Sequence, residues 1–267
     1  MRRRRRMPTI PGVAPTAPTP MLAPLLAAIS LAAAPAPRTL SIAAASNLKL
    51  AVEDLERAFE DEHPGVDAVV TLGGSGVLYA QIAHGAPFDV FLSADREYPR
   101  RAVAEGLAAP PGEVVYAAGA LVAWVPRGSR IDLEGKGLAA LADPAVRRVA
   151  IANPAVAPYG RAAEAALRAA GLYEAVKAKL VLGQNVSQAA QFAESGAADA
   201  ALLPLALTFS PRLREGRVLP LPAAPRQEQS GIVVARAREP ELARAFLDLA
   251  AGEKGRAILA KYGYAPP

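Results

Sequence analysis

Thr39-Leu40-Ser41-Ile42-Ala43-Ala44-Ala45-Ser46-Asn47-Leu48 is the stretch from which the fold can be read. Up to Ala45 it is a mostly apolar run of strand length. From Leu48 the pattern changes: Leu48, Val52, Leu55 and Phe59 recur at helical spacing, with Glu53, Asp54, Glu56 and Arg57 between them. A strand therefore hands the chain to a helix, and the polar residues Ser46 and Asn47 stand at the junction. The same alternation runs to the C-terminus. Strands are predicted over 66–72, 89–92, 149–152, 180–182, 200–203 and 232–235. Helices are predicted over 77–83, 98–105, 138–141, 161–170, 187–195, 240–250 and 255–262. A long apolar run, 114–125, surrounds Gly119, and 212–230 reads as a surface connection. Strands separated by helices imply right-handed crossovers, so the fold class is α/β with mostly parallel sheets flanked by helices.

Charge excludes one class of partner. Lys plus Arg is 30 and Asp plus Glu is 25 over 267 residues. The excess of five is residues 2–6, all arginine, and residues 7–36 carry no charge. The remainder is net neutral, so the pI of 9.6 describes the N-terminal tip. A nucleic-acid partner is not expected, because it needs basic residues on the folded surface. The chain has no Cys and two His, at His63 and His84, which excludes disulfides and thiolate metal sites. No metal held directly by side chains and no cofactor is expected.

Residues 1–36 have the order of an export signal. A basic tip is followed by a Pro- and Thr-rich stretch, a run of Leu, Ala and Ile over 21–34, and small residues for cleavage between Ala33 and Arg38. Translation could begin at Met1, Met7 or Met21. The expected product is periplasmic and monomeric, and without Cys it has no lipid anchor.

Four strand-to-helix junctions carry the polar residues. Ser46 and Asn47 form the first, and Gly73-Gly74-Ser75-Gly76 the second. Residues 153–160, including Tyr159, form the third, and Gly183-Gln184-Asn185-Val186-Ser187 the fourth. In an open parallel sheet these lie at the carboxyl ends of the strands, where ligands bind. Helix starts offer free N–H groups and the positive end of the helix dipole, so their convergence suits an anion. Arg161 is the only charged neighbour. A site without carboxylates suits a fully deprotonated oxyanion, which only accepts hydrogen bonds. Ser46 and Ser75 equally fit ordinary helix N-caps, and Tyr159 fits a packing residue at a helix entry.

Ala43-Ala44-Ala45-Ser46-Asn47-Leu48 resembles the opening motif of the periplasmic molybdate-binding proteins of ABC importers. Gly74-Ser75-Gly76, Gly85-Ala86-Pro87, residues 89–95, Ala157-Pro158-Tyr159-Gly160, residues 183–189 and Lys261-Tyr262-Gly263-Tyr264 are similar to later blocks of that family, in order. The resemblance covers nearly all of residues 39–264. It implies a two-lobed periplasmic binding fold with two hinge crossings. It also implies molybdate or tungstate in the cleft and a membrane permease as partner. Ser46 and Ser75 match hydroxyl ligands, and Asn47 a neighbouring position that contributes in some members. Tyr159 and Val186 match positions that offer backbone N–H groups. Some members place a tyrosine hydroxyl on the anion near residue 203, where this chain has Leu202-Leu203-Pro204. The apolar runs place lobe one at 38–118 plus 231–267 and lobe two at 119–230. Two alternatives remain: a serine hydrolase using Ser75 with His84, and a binding protein for another oxyanion such as sulfate.

Overall fold

The computed structural model describes Gly12, residues 38–221, Ala224 and residues 226–267. The export signal expected over residues 1–36 lies, apart from Gly12, outside the described residues. The first lobe opens with β1 (Arg38–Ala45), α1 (Lys49–Glu62), β2 (Val66–Gly73), α2 (Ser75–Ala83), β3 (Val90–Ser93), α3 (Glu97–Ala104) and β4 (Val114–Gly119). The second lobe holds β5 (Leu121–Val125), α4 (Leu133–Lys136), β6 (Val149–Ala152), α5 (Pro158–Ala169) and α6 (Tyr173–Val176). It continues with β7 (Leu180–Gly183), α7 (Val186–Glu194), β8 (Ala200–Pro204) and β9 (Arg217–Pro220). The chain then returns to the first lobe as β10 (Gln227–Val233), α8 (Pro240–Ala251) and α9 (Glu253–Ala260).

Two five-stranded sheets result, ordered β2-β1-β3-β10-β4 and β7-β6-β8-β5-β9. In β1 the residues Leu40, Ile42 and Ala44 join a core with Val52, Leu55 and Phe59 of α1 and Phe246 of α8. Ala43 packs on the other face with Leu78 and Ile82 of α2. Burial on both faces is why β1 reads as a nearly continuous apolar run. The second lobe has its own core, with Ile151, Trp124 and Leu203 from the strands and Ala163, Leu167 and Ala189 from the helices.

The structure makes three points of this reading more exact. The sheets are mostly parallel in strand direction but mixed in pairing: β1 pairs in parallel with β2 and β3, and β6 with β7 and β8, while β10 and β5 run antiparallel to their neighbours. The run 114–125 is two strands, one in each sheet, broken at Ala120. The stretch 212–230 is not only a connection. It contains β9, which ends at Pro220 and forms the edge of the second sheet, where proline is tolerated. It also contains the first half of β10, so Gln227–Ser230, expected in lobe two, pair with β4 in the first sheet. The chain thus passes between the sheets at Ala120 and again between Pro220 and Gln227.

Candidate functional site

The carboxyl ends of β1, β2, β6 and β7 each deliver the chain into a helical turn. After Ala45 a 3-10 turn begins at Ser46 and leads into α1. After β2, Gly74 caps α2 in extended conformation and Ser75 is its first residue. Pro158 opens α5, where its fixed φ and missing N–H are harmless. Asn185 caps α7, its side chain accepting from Gln188 N–H at 3.0 Å. All four junctions line one cavity between the lobes, and Ser46, Asn47, Ser75, Tyr159 and Val186 are all among its walls. It leaves only about 10 Å³ for the centre of a water-sized sphere. That is room for one small group and far below the roughly 300–1,000 Å³ of organic-ligand pockets. A larger surface hollow of about 520 Å³ lies in lobe two, beside Asp132, Lys136, Asp143 and Asp199. It sits at the opposite ends of β6 and β8, away from the four junctions.

The cavity walls carry polar side chains but no charged one. Neither serine is an N-cap: Ala45 and Gly74 hold those positions, and neither helix start has a side-chain cap bond. The Ser75 hydroxyl accepts the Ala94 N–H at 3.0 Å, which leaves its own proton to donate. The Ser46 hydroxyl has no protein partner among the described residues, although Ser46 is 2% exposed. The N–H groups of Tyr159 and Val186 sit in first turns, where no carbonyl one turn earlier accepts them. Two hydroxyls and two N–H groups are therefore available as donors.

Asn47 differs. Its Nδ2 donates to Gln229 Oε1 at 2.8 Å and to the Tyr264 hydroxyl at 2.7 Å, which in turn donates to Asn47 O at 2.9 Å. Its amide donors are spent on the protein, and its Oδ1 is buried without a partner. The Tyr159 phenol accepts from Gln229 Nε2 at 3.4 Å, and burial pushes its pKa up despite that bond. Leu203 is fully buried in the lobe-two core and is not part of the cavity wall, so no donor stands there. Gln229, which sequence reasoning passed over inside an expected loop, sits at the centre of this network. No local pattern marks it.

The lobes are closed over the cavity. Gly76 N–H donates to Val156 O at 3.1 Å, and the Ser187 hydroxyl to Ser46 O at 3.3 Å. A Cβ at Gly76 would lie 2.9 Å from Val156 O and 2.5 Å from the Tyr98 hydroxyl, so only glycine permits this approach. Arg161 reaches across to Asp95 at 2.5 Å and Glu97 at 3.1 Å. Its charge is thereby neutralised outside the cavity. Burial raises the Asp95 pKa, against the opposing bonds from Ser93 and Tyr98 N–H and the Arg161 charge.

The Ser75–His84 pair of the hydrolase alternative does not form. The two residues stand at opposite ends of α2, roughly 13 Å apart at the helical rise. His84 Nδ1 is bonded to Ala80 O at 2.7 Å. Among the described residues no cluster of His, Asp and Glu is placed to hold a metal, and no helix is long and apolar enough to cross a membrane.

Two α/β lobes joined by two crossings and closed over a small uncharged cavity have the build of a solute-binding protein. The family model for bacterial extracellular solute-binding proteins matches residues 40–265, and the chain belongs to that family. Its relatives are solute-binding proteins rather than enzymes, and so is this chain. The molybdate-binding protein ModA of Rhodobacter capsulatus is 36% identical over 203 residues, 76% of this chain and 79% of that protein. The molybdate-binding protein ModA of Azotobacter vinelandii is 32% identical over 237 residues, covering 88% and 92%. The solved periplasmic molybdate-binding protein of Azotobacter vinelandii superposes with a TM-score of 0.79 at 32% identity, over 85% of this chain and 99% of that one.

Proposed function

We propose that this protein captures molybdate, and equally tungstate, in the cavity between its lobes and delivers it outside the cytoplasm to an ABC permease. One observation carries the reading: Ser46, Ser75, Tyr159 and Val186 bring two hydroxyls and two unpaired N–H groups around a small uncharged cavity. The Ser46 and Ser75 side chains and the Tyr159 and Val186 backbone are the donors. Asn47 contributes position rather than its amide. Four neutral donors suit a dianion whose oxygens only accept. Molybdate and tungstate share tetrahedral shape, charge and nearly the same size, so a site that reads these takes both. Sulfate has the same charge and shape but is smaller, so discrimination against it falls to the spacing of the donors. Phosphate at neutral pH brings a proton, and no carboxylate lines the cavity to accept it.

The two lobes are residues 38–119 with 227–267, and residues 120–221, with Ala120 and the segment before Gln227 as hinges. The protein works as an exported monomer, and only its closed form presents both lobes together to the permease. Calorimetry of the mature protein with molybdate, tungstate, sulfate and phosphate tests the reading. Tight binding of the first two and much weaker binding of the others is expected. Equal affinity for sulfate refutes it. Phosphate binding would point to the unpaired Asn47 Oδ1 as a proton acceptor and refute the protonation argument.

A further inference from the structure

Gly119 is the last residue of β4, one step before the chain crosses at Ala120. Its φ is not in the left-handed region, so backbone conformation does not require glycine. The space where a side chain would stand is occupied instead. A Cβ there would overlap the Tyr159 phenol oxygen and lie 3.3 Å from Tyr159 Cζ and 3.2 Å from Gln229 Nε2. Tyr159 belongs to the second lobe, while Gly119 and Gln229 lie in strands of the first sheet. The phenol therefore plugs into a socket made by the other lobe.

The socket is braced by one amide. Gln229 is fully buried, and each of its polar atoms is paired. Oε1 accepts from Asn47 Nδ2 at 2.8 Å, and Nε2 donates to Gln227 O at 2.9 Å, Ala94 O at 3.3 Å and the Tyr159 hydroxyl at 3.4 Å. These partners are next to the proposed donors. Asn47 follows Ser46, Ala94 N–H holds the Ser75 hydroxyl, and Tyr159 offers its own N–H. One side chain thus ties together three of the four cavity walls without lining the cavity itself. A buried amide is costly unless it is fully paired, so this arrangement forms as a unit or not at all.

We propose that Gly119 and Gln229 are positioning residues that dock the Tyr159 phenol and so set the closed position of α5, whose first-turn N–H meets the oxyanion. The proposal rests on the anion-binding reading above. Helix α5 is rigid on the scale of its first turn. A socket filled by a methyl group displaces the phenol, and with it the Tyr159 N–H, although no atom that touches the anion has been changed.

The test is a double-mutant cycle on the whole mature protein, read by molybdate calorimetry and by a lobe-to-lobe distance from paired spin labels. Gly119→Ala is expected to weaken molybdate binding by about tenfold or more and to leave the liganded protein less closed. Tyr159→Phe, measured alone as the baseline, removes the oxygen that the new methyl would strike. Adding it to Gly119→Ala is therefore expected to recover most of the lost affinity and the closed distance. A merely structural glycine gives no such rescue. If Gly119→Ala alone fails to fold, a double variant that folds and binds supports the socket. A double variant that binds no better than Gly119→Ala, or that also fails to fold, overturns it, as does a Gly119→Ala protein with wild-type affinity and closure. Wild-type protein that binds no molybdate fails the anion reading instead, and the two failures are distinct.

Discussion

Ser46→Ala and Ser75→Ala separate ligand donation from structural support, because the two hydroxyls are wired differently. On the proposed reading each donates to a charged oxygen in a closed cavity, and losing such a bond costs about 1.5–3 kcal/mol of binding. That is roughly a 10–150-fold rise in Kd for either variant. The consequences for the ligand-free fold differ. Ser75 Oγ accepts the Ala94 N–H at 3.0 Å, and Ala94 is 3% exposed. Both residues lie in the first lobe, so the bond does not depend on closure. Ser75→Ala leaves a buried N–H unpaired, at about 1–3 kcal/mol. In a chain of this size that is a Tm lower by roughly 2–12 °C. Ser46 Oγ has no protein partner to abandon, so Ser46→Ala keeps its ligand-free Tm. Calorimetry with molybdate and thermal melts without it measure both quantities. Matching Tm losses with unchanged affinity would mark both serines as fold elements and refute the reasoning. Unchanged affinity in both with unchanged Tm would place the anion elsewhere.

Glu56 offers a stability test away from the site. Burial first, then Glu60, Glu53 and Asp67, raise its pKa to about 7. A raised carboxyl pKa gives stability that is present below the ordinary value of 4.5 and lost as pH rises through 7. Melts of wild type and Glu56→Gln should therefore converge near pH 4.5 and diverge toward pH 8, with the variant more stable there; a constant difference would show that Glu56 does not titrate in this window. Arg161→Met removes the pairs to Asp95 and Glu97 that join the lobes. It should weaken molybdate binding by about 1–2 kcal/mol, between exposed and buried ion-pair values, chiefly through faster release in stopped flow. A slower association with unchanged release would instead make Arg161 a steering charge.

What the sequence made legible is what depends on neighbours in the chain. The change of period at Ser46 marked β1 and α1, because Leu48, Val52, Leu55 and Phe59 all face one core. The four junctions were legible for the same reason, each being a strand end followed within a few residues by a helix start. Three things were hidden because long-range partners decide them. Gln227-Glu228-Gln229 has no strand signature, yet it pairs with β4 and buries Gln229 against Asn47, 182 positions away. The serines match the composition of N-caps, but the caps are Ala45 and Gly74, and only the fold shows that the hydroxyls are left for another use. Asn47 stands where an anion ligand is expected, and its amide turns to Gln229 and Tyr264.

The way the site handles charge explains why lobe closure carries so much of the function. Arg161 is held by two carboxylates and does not line the cavity, so on the proposed reading the anion meets only neutral dipoles. Such dipoles are weak in water and become strong only when water is excluded and the local dielectric falls. Affinity is therefore made by the contacts that close the lobes as much as by the donors themselves. That is why residues that never touch the anion, such as Gly76 and Gly119, meet geometric demands as strict as those on Ser46 or Ser75. It also bears on release. No carboxyl group lines the cavity wall, so none can ionise there and expel the anion by repulsion. Separating the lobes readmits water, weakens every donor at once and frees the anion. A partner that grips both lobes and draws them apart thus has what it needs to unload the site.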